Sequence, residues 1–362
     1  MGLAADPSCT PGFDCASYLS MALDPTSAPH LPPQHAARIL PALAVHALTW
    51  LGVPALSAFR WLAIAAFVVI GWMAYGDLRR VGSTPGVAAT GTMWLWLVPW
   101  PFAYCLFDVA HAGYLWTFPA VMAMARLTAS GRTTPVALIG AAASLCRQEL
   151  LIATVLALAQ IFWKRKDRKA VVLLVVVVLF FFGVQRFVAP TSGQVWQLIF
   201  QELTVANIAY SWLGWEFSGL AWAILPTLVL LRRPMASSLV EVPWLVAYVL
   251  AVFGLETLTA GLAGPGNFGR TALLALWPVW WLLARELVRP RRPWWICAAS
   301  AVPIGYVVMR DGYTAVGPSW HVYRSVSVPV FGLIAPVLFA IVWWASLPNA
   351  SARRSAGPVE PA

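Results

Sequence analysis

The stretch AVVLLVVVVLFFFGVQRFV, residues 170–188, follows directly on Lys164-Arg165-Lys166-Asp167-Arg168-Lys169. It comes close to the roughly 20 apolar residues that a helix needs to cross the hydrocarbon core of a bilayer. Basic residues gathered at one end of such a run mark the cytoplasmic side. The same unit recurs along the chain, with apolar runs at about 58–76, 87–106, 114–128, 134–147, 149–163, 208–231, 242–259, 270–287, 294–309 and 326–347. The runs 134–147 and 149–163 are short and either stand as two helices or merge into one tilted span across Arg147 and Glu149.

Composition points the same way. Hydrophobic residues make up 60% of the 362, charged ones 10%, and 21 Trp and 17 Phe accompany them, at a mean hydropathy of +0.74. A water-soluble domain cannot hide that much apolar surface. The net charge of +10 does not indicate nucleic acid, because the basic residues cap apolar segments and cover no single face. Five scattered cysteines, with no CxxC pair and no zinc-type His spacing, predict neither a disulfide framework nor a metal site. No cofactor is indicated.

Arg79-Arg80, the 164–169 cluster, Arg232-Arg233, Arg289 with Arg291-Arg292, and Arg353-Arg354, together with Arg132, hold 15 of the 24 basic residues. Alternation through eleven spans puts all of them in the cytoplasm. The fold class is therefore all-α: a polytopic membrane protein of about 10–11 transmembrane helices plus an outer interfacial helix. Its parts are an extracytoplasmic first loop (1–57), a multi-helix membrane domain (58–347) and a short, disordered cytoplasmic tail (348–362). The first loop contains Ile39 to Val53, an apolar stretch of about 15 residues that is too short to cross and is read as a helix in the outer interface. A loop delivered to the outside without a signal peptide predicts a further membrane helix upstream of Met1, or else an N-terminus that translocates unaided.

On the outer side the arginines come singly: Arg38, Arg60, Arg147, Arg186, Arg270, Arg310 and Arg324. A planar guanidinium grips phosphate or carboxylate in two-pronged fashion, although any one of these can equally pair with a nearby acid or reach to the interface. Among the outer acids, Asp14 and Asp108 matter most, because a carboxylate in a partly apolar cleft suits the general-base task of sugar transfer to an alcohol. For Asp14 a second reading stays open, the N-cap of a helix beginning near Ala16.

The run Gly12-Phe13-Asp14-Cys15-Ala16-Ser17-Tyr18 through Asp24-Pro25, followed by Arg38-Ile39-Leu40-Pro41, resembles the first outer loop of bacterial GT-C type integral membrane glycosyltransferases, the mannosyl- and arabinosyltransferase-like enzymes. Asp108 in the second outer loop, the turn Leu145-Cys146-Arg147-Gln148-Glu149-Leu150, and Arg270 opening a late span with Pro278 inside it add to the likeness. The sequence departs from that pattern where Cys15 and Ala16 stand in place of the frequent Gly and Gln, and no soluble domain follows Leu347.

The resemblance implies a fold of roughly a dozen helices with the active site in the outer loops. It implies a polyprenyl-phosphate-linked sugar as donor, a lipid, glycan or protein hydroxyl outside the membrane as acceptor, and a bacterial inner membrane as the location. The Arg-rich, Lys-poor composition agrees with a bacterial source. Asp14 then matches the catalytic aspartate and Asp108 the second-loop acid. Arg147 and Arg270, with Arg38 in support, match the groups that hold the donor phosphate. His111, Glu149, Tyr313 and His321 are candidates for contacts to the sugar, although an interfacial aromatic belt accounts equally for the rings nearby. The alternative from another class is a membrane transporter or lipid flippase, for which repeats and midplane charges would be expected; no repeat is evident, and Glu216 and Glu256 are the acids placed to serve such a path.

Overall fold

A computed structural model describes residues 14–31, 33–81, 83–96, 112–188, 243–252, 254–255, 278 and 281. Among them every regular element is a helix. The runs 208–231, 294–309 and 326–347 lie outside the described residues.

Helix α1 (Asp14–Leu23) leads into a 3-10 turn (Pro25–His30), a short α2 (Pro33–Ala36) and α3 (Ile39–Trp50). The turn is set locally: the Asp24 carboxylate accepts from the backbone N–H of Thr26 at 3.0 Å and from its hydroxyl at 2.6 Å, and Pro25 supplies a fixed φ at the first position. Those two hydrogen bonds also hold the Asp24 pKa below its ordinary value. α3, with 12 residues, is about 18 Å long at about 1.5 Å per residue, short of the roughly 30 Å of a bilayer core.

Pro54 caps α4 (Ala55–Arg80), whose 26 residues contain no proline and stop at the charged pair Arg79-Arg80. α5 (Pro85–Trp96) and α6 (Ala112–Ser130) follow, then α7 (Thr133–Ser144), α8 (Leu150–Arg165), α9 (Arg168–Val188) and α10 (Pro243–Val252). α6 stops at Gly131, with φ +71°, and α8 at Lys166, which takes the left-handed conformation (φ 54°) while its N–H bonds back to Phe162 O. Both are the left-handed stops that helix C-termini favour.

Side-chain pairs fix the directions. Trp116 Nε1 donates to Leu62 O at 3.1 Å, and Arg126 reaches Met73 O, so α4 and α6 run parallel. α7 and α8 form an antiparallel hairpin: Thr133 Oγ1 donates to Asp167 Oδ2 at one end, and Gly140 lies against Thr154 midway, where an added Cβ would fall 2.2 Å from the hydroxyl. Of the two options for 134–147 and 149–163, separate helices is the one found, and the chain reverses between them. The missing Cβ at Gly140 is the physical reason, since small residues let helix backbones approach closely.

One end of this bundle accordingly gathers Arg79-Arg80, Arg132 and the 164–169 cluster, and the other gathers residues 37–41, Gly113 and 145–149. Among the described residues an apolar core runs from Cys15 and Tyr18 through α3, α4, α6, α7 and α8 to Trp281, so the first loop packs on the helices that follow it.

Among the described residues two helices, Ala55–Arg80 and Arg168–Val188, are long and apolar enough to cross a membrane. Both leave large apolar side chains uncovered. Trp61, Ile64, Val68 and Trp72 form such a stripe on α4, and Val172, Val175, Val176, Leu179 and Phe182 form one on α9. Apolar stripes of this size on an outward face suit a lipid surrounding better than water.

Candidate functional site

The site begins with a backbone link between distant segments: the N–H of Leu40, at the start of α3, donates to Leu145 O at 3.2 Å, at the end of α7. That bond draws Arg38 and the turn 145–149 together. The turn itself is built from short-range bonds, Cys146 N–H to Ala143 O at 2.9 Å, Arg147 N–H to Ala143 O at 3.0 Å and Leu150 N–H to Arg147 O at 3.0 Å. It packs against the opening of α6, where Gly113 leaves room for Pro41: a Cβ there would meet the proline Cγ at 2.9 Å.

Arg147 is fully buried, a rare state for an arginine unless it is paired. Its Nη2 donates to Glu149 Oε1 at 2.6 Å, a short charge-assisted contact. Burial opposes ionisation of the Glu149 carboxyl, but the guanidinium groups of Arg147 and Arg38 together with local hydrogen bonds outweigh it and hold its pKa below the ordinary value. Two guanidinium groups thus act on one carboxylate.

Arg38 also donates to the Tyr18 hydroxyl at 3.3 Å, and the Tyr18 ring lies 5.6 Å from that of His35. Gln185, buried near the end of α9, donates from Nε2 to Ala37 O at 3.1 Å and ties the last turn of that helix to the cluster. Burial pushes the Cys146 thiol up to about 12, so it is a packing group and no nucleophile.

Of the residues singled out in the sequence, Arg38, Arg147 and Glu149 come together here. Asp14 is the first residue of α1, four positions before Tyr18, so its backbone lies one helical turn from the Tyr18–Arg38 contact. Asp108, His111, Arg270, Tyr313 and His321 lie outside the described residues. Arg60 and Arg186 are exposed. Among the described residues no group of three or more His, Cys, Asp or Glu is placed to hold a metal ion.

Tyr18, His35 and Gln185 were not picked out by the sequence reading. Gln185 had a usable signal, as an uncharged polar residue inside the apolar run 170–188. Tyr18 and His35 had none, since their relation to Arg38 depends on the path between α1 and α3.

Cys15 is disulfide-bonded, a bridge that the sequence reading, which expected no disulfide framework, did not anticipate. Cysteine spacing does not encode which thiols the fold brings together.

No family model matches this chain, and no curated protein or solved structure matches it either.

Proposed function

We propose that this chain is a multi-pass membrane enzyme of GT-C glycosyltransferase type, lying in a bacterial inner membrane with the 145–149 turn outside. It transfers a sugar from a polyprenyl-phosphate donor to a lipid, glycan or protein hydroxyl. The observation that carries the reading is the buried Arg147–Glu149 pair with Arg38 beside it, at the end of the bundle opposite the basic clusters. The disulfide at Cys15 supports the outer placement of α1, because such bonds persist in the periplasm and are rare in the cytosol.

In this mechanism the acceptor oxygen attacks the anomeric carbon of the donor, the bond from that carbon to the phosphate oxygen breaks, and the acceptor proton passes to Asp14. Negative charge grows on the departing polyprenyl phosphate. Arg38 and Arg147, with Arg270, stabilise it, and fixed positive groups in a water-poor site do so strongly. Asp108 positions the acceptor, and His111, Tyr313 and His321 contact the sugar.

The test is transfer from labelled polyprenyl-phosphate sugars in membranes carrying the parent protein or Asp14→Asn. Transfer lost in the variant at equal protein level supports the reading. Transfer equal in both removes Asp14 as the base. Absence of transfer from every donor by the parent protein favours the second reading, a lipid flippase or transporter. That reading draws on the pair Arg126–Asp77, 3.8 Å apart and largely buried at the inner ends of α6 and α4, and a lipid-scrambling assay in vesicles checks it.

A further inference from the structure

The tip between α8 and α9 joins a basic patch to a bare apolar face. α8 ends where the N–H of Lys166 bonds back to Phe162 O at 2.7 Å and the Lys166 φ turns to 54°. α9 begins two residues later, at Arg168. Lys166, Arg168 and Lys169 are thereby crowded onto one short turn, and all three are exposed. Trp163, in the last turn of α8, is 74% exposed, and the Lys166 ammonium lies over its ring, 5.1 Å from the centroid. Two neighbouring charges are engaged elsewhere. Arg165 lies back across the turn at Gly131 and donates from Nη2 to Ala129 O at 3.2 Å. The Asp167 carboxylate accepts from the Thr133 hydroxyl and from the backbone N–H of Lys169.

The apolar face starts where the charges stop. Residues three and four apart share a helix face, so Val172 stands one turn beyond Arg168 and Lys169, with Val175 and Val176 a turn further on. All three valines are exposed, and only 17% of the most apolar window of α9 is buried. One continuous surface therefore runs from cations and a tryptophan to more than two turns of uncovered hydrocarbon. Water solvates the first part of such a surface and not the second. A phospholipid matches both, since its phosphate lies directly beside its acyl chains. Lysine and arginine lay their stems on apolar surface and carry the charge to headgroup level, where a tryptophan ring also settles. Three cations in one turn favour a headgroup of net negative charge over a zwitterionic one.

We propose that the α8–α9 tip binds the headgroup of an anionic phospholipid of the cytoplasmic leaflet, with the acyl chains of that lipid lying along the exposed face of α9. Charge complementarity at Lys166, Arg168 and Lys169 and the unbroken passage from them to Val172 and Val176 fix the occupant. The assignment rests on the membrane placement and orientation proposed above and is independent of sugar transfer.

The test uses the purified full chain in nanodiscs of phosphatidylcholine alone and of phosphatidylcholine mixed with phosphatidylglycerol. Native mass spectrometry counts the lipids that stay with the protein, and thermal melts are recorded in parallel. The expected result is a several-fold enrichment of phosphatidylglycerol among the retained lipids, weakening as salt is raised. A Lys166→Gln, Arg168→Gln, Lys169→Gln triple variant should lose most of the enrichment, while Lys166→Arg with Lys169→Arg, which keeps the charge, should retain it. Melts of both variants in phosphatidylcholine alone should stay close to the parent's. A second measurement needs no variant: phosphatidylglycerol with a photoreactive group in its acyl chain should crosslink to the peptide carrying Val172 and Val176, and the phosphatidylcholine counterpart several-fold less. Absence of enrichment in the parent, enrichment unchanged in the triple variant, or equal crosslinking by the two lipids overturns the proposal. A parent chain that stays in solution without detergent or lipid overturns the membrane reading and this site with it. Loss of sugar transfer in Asp14→Asn with lipid enrichment intact separates the tip from the outer site.

Discussion

Arg147 and Glu149 stand two residues apart in one turn, and their side chains close on each other at 2.6 Å with the guanidinium fully buried. Removing one partner of a buried pair leaves an uncompensated charge, which costs on the order of 3–5 kcal/mol. Glu149→Ala should therefore lower the stability of the purified protein by about that amount, and Glu149→Gln, which keeps one hydrogen-bonding oxygen, by less. Thermal or denaturant unfolding in detergent checks the order of the two variants.

The same pair sets a pH dependence. The Glu149 pKa is held below its ordinary value of 4.5, so the unfolded chain takes up the proton before the folded one does as pH falls. The stability from this carboxylate is present above about pH 4.5 and is lost as pH drops through the lower folded-state value. The melting-temperature gap between the parent protein and Glu149→Gln should be widest near neutrality and narrow below pH 4.5; a gap that stays constant down to strongly acidic pH would contradict this account.

Gly140 is the contact point of the α7–α8 hairpin, with Thr154 where its side chain would go. Overpacking a tight core costs typically about 1–3 kcal/mol. Gly140→Ala should lower stability within that range, and Thr154→Ser in the same chain should recover part of the loss. Cysteine crosslinking between the two helices reads the separation directly.

Trp281 donates from Nε1 to Asp77 Oδ2 at 3.0 Å, both groups buried and 204 residues apart in sequence. A hydrogen bond to a charged group contributes about 1.5–3 kcal/mol. Trp281→Phe should lose about that much, while Asp77→Asn should lose more, because Arg126 is then left beside an uncharged partner. Unfolding followed by tryptophan fluorescence and by circular dichroism reports both losses.

Cys146 and Cys15 should both resist thiol reagents, for different reasons. Burial keeps Cys146 as the protonated thiol, so maleimide should reach it only after denaturation, with or without a reductant. Cys15 is oxidised and should label only after reduction. Peptide mapping under the four combinations distinguishes the two.

The helical, apolar character of the described residues and the places where their helices stop were legible in the sequence. Periodic runs with charges and prolines at their ends report local free energy, and Arg79-Arg80, Lys164 to Lys169 and Pro54 act within one turn of where they stand. The orientation of neighbouring helices was legible too, because charge clusters at alternate ends constrain it; the pairings Trp116–Leu62 and Thr133–Asp167 agree with that alternation.

Arg38, Arg147 and Glu149 could be picked out as single polar residues near apolar runs, but nothing local could say that the acid would claim the buried arginine while the other arginine reached Tyr18. Those pairings depend on the bond from Leu40 to Leu145 and on the gap that Gly113 leaves for Pro41, both contacts between segments about a hundred or fewer residues apart. The Trp281–Asp77 bond was invisible for the same reason. A short sequence window carries propensity, hydrophobicity and charge, whereas which polar groups are buried together is settled by close packing of distant segments, and only the tertiary structure decides that.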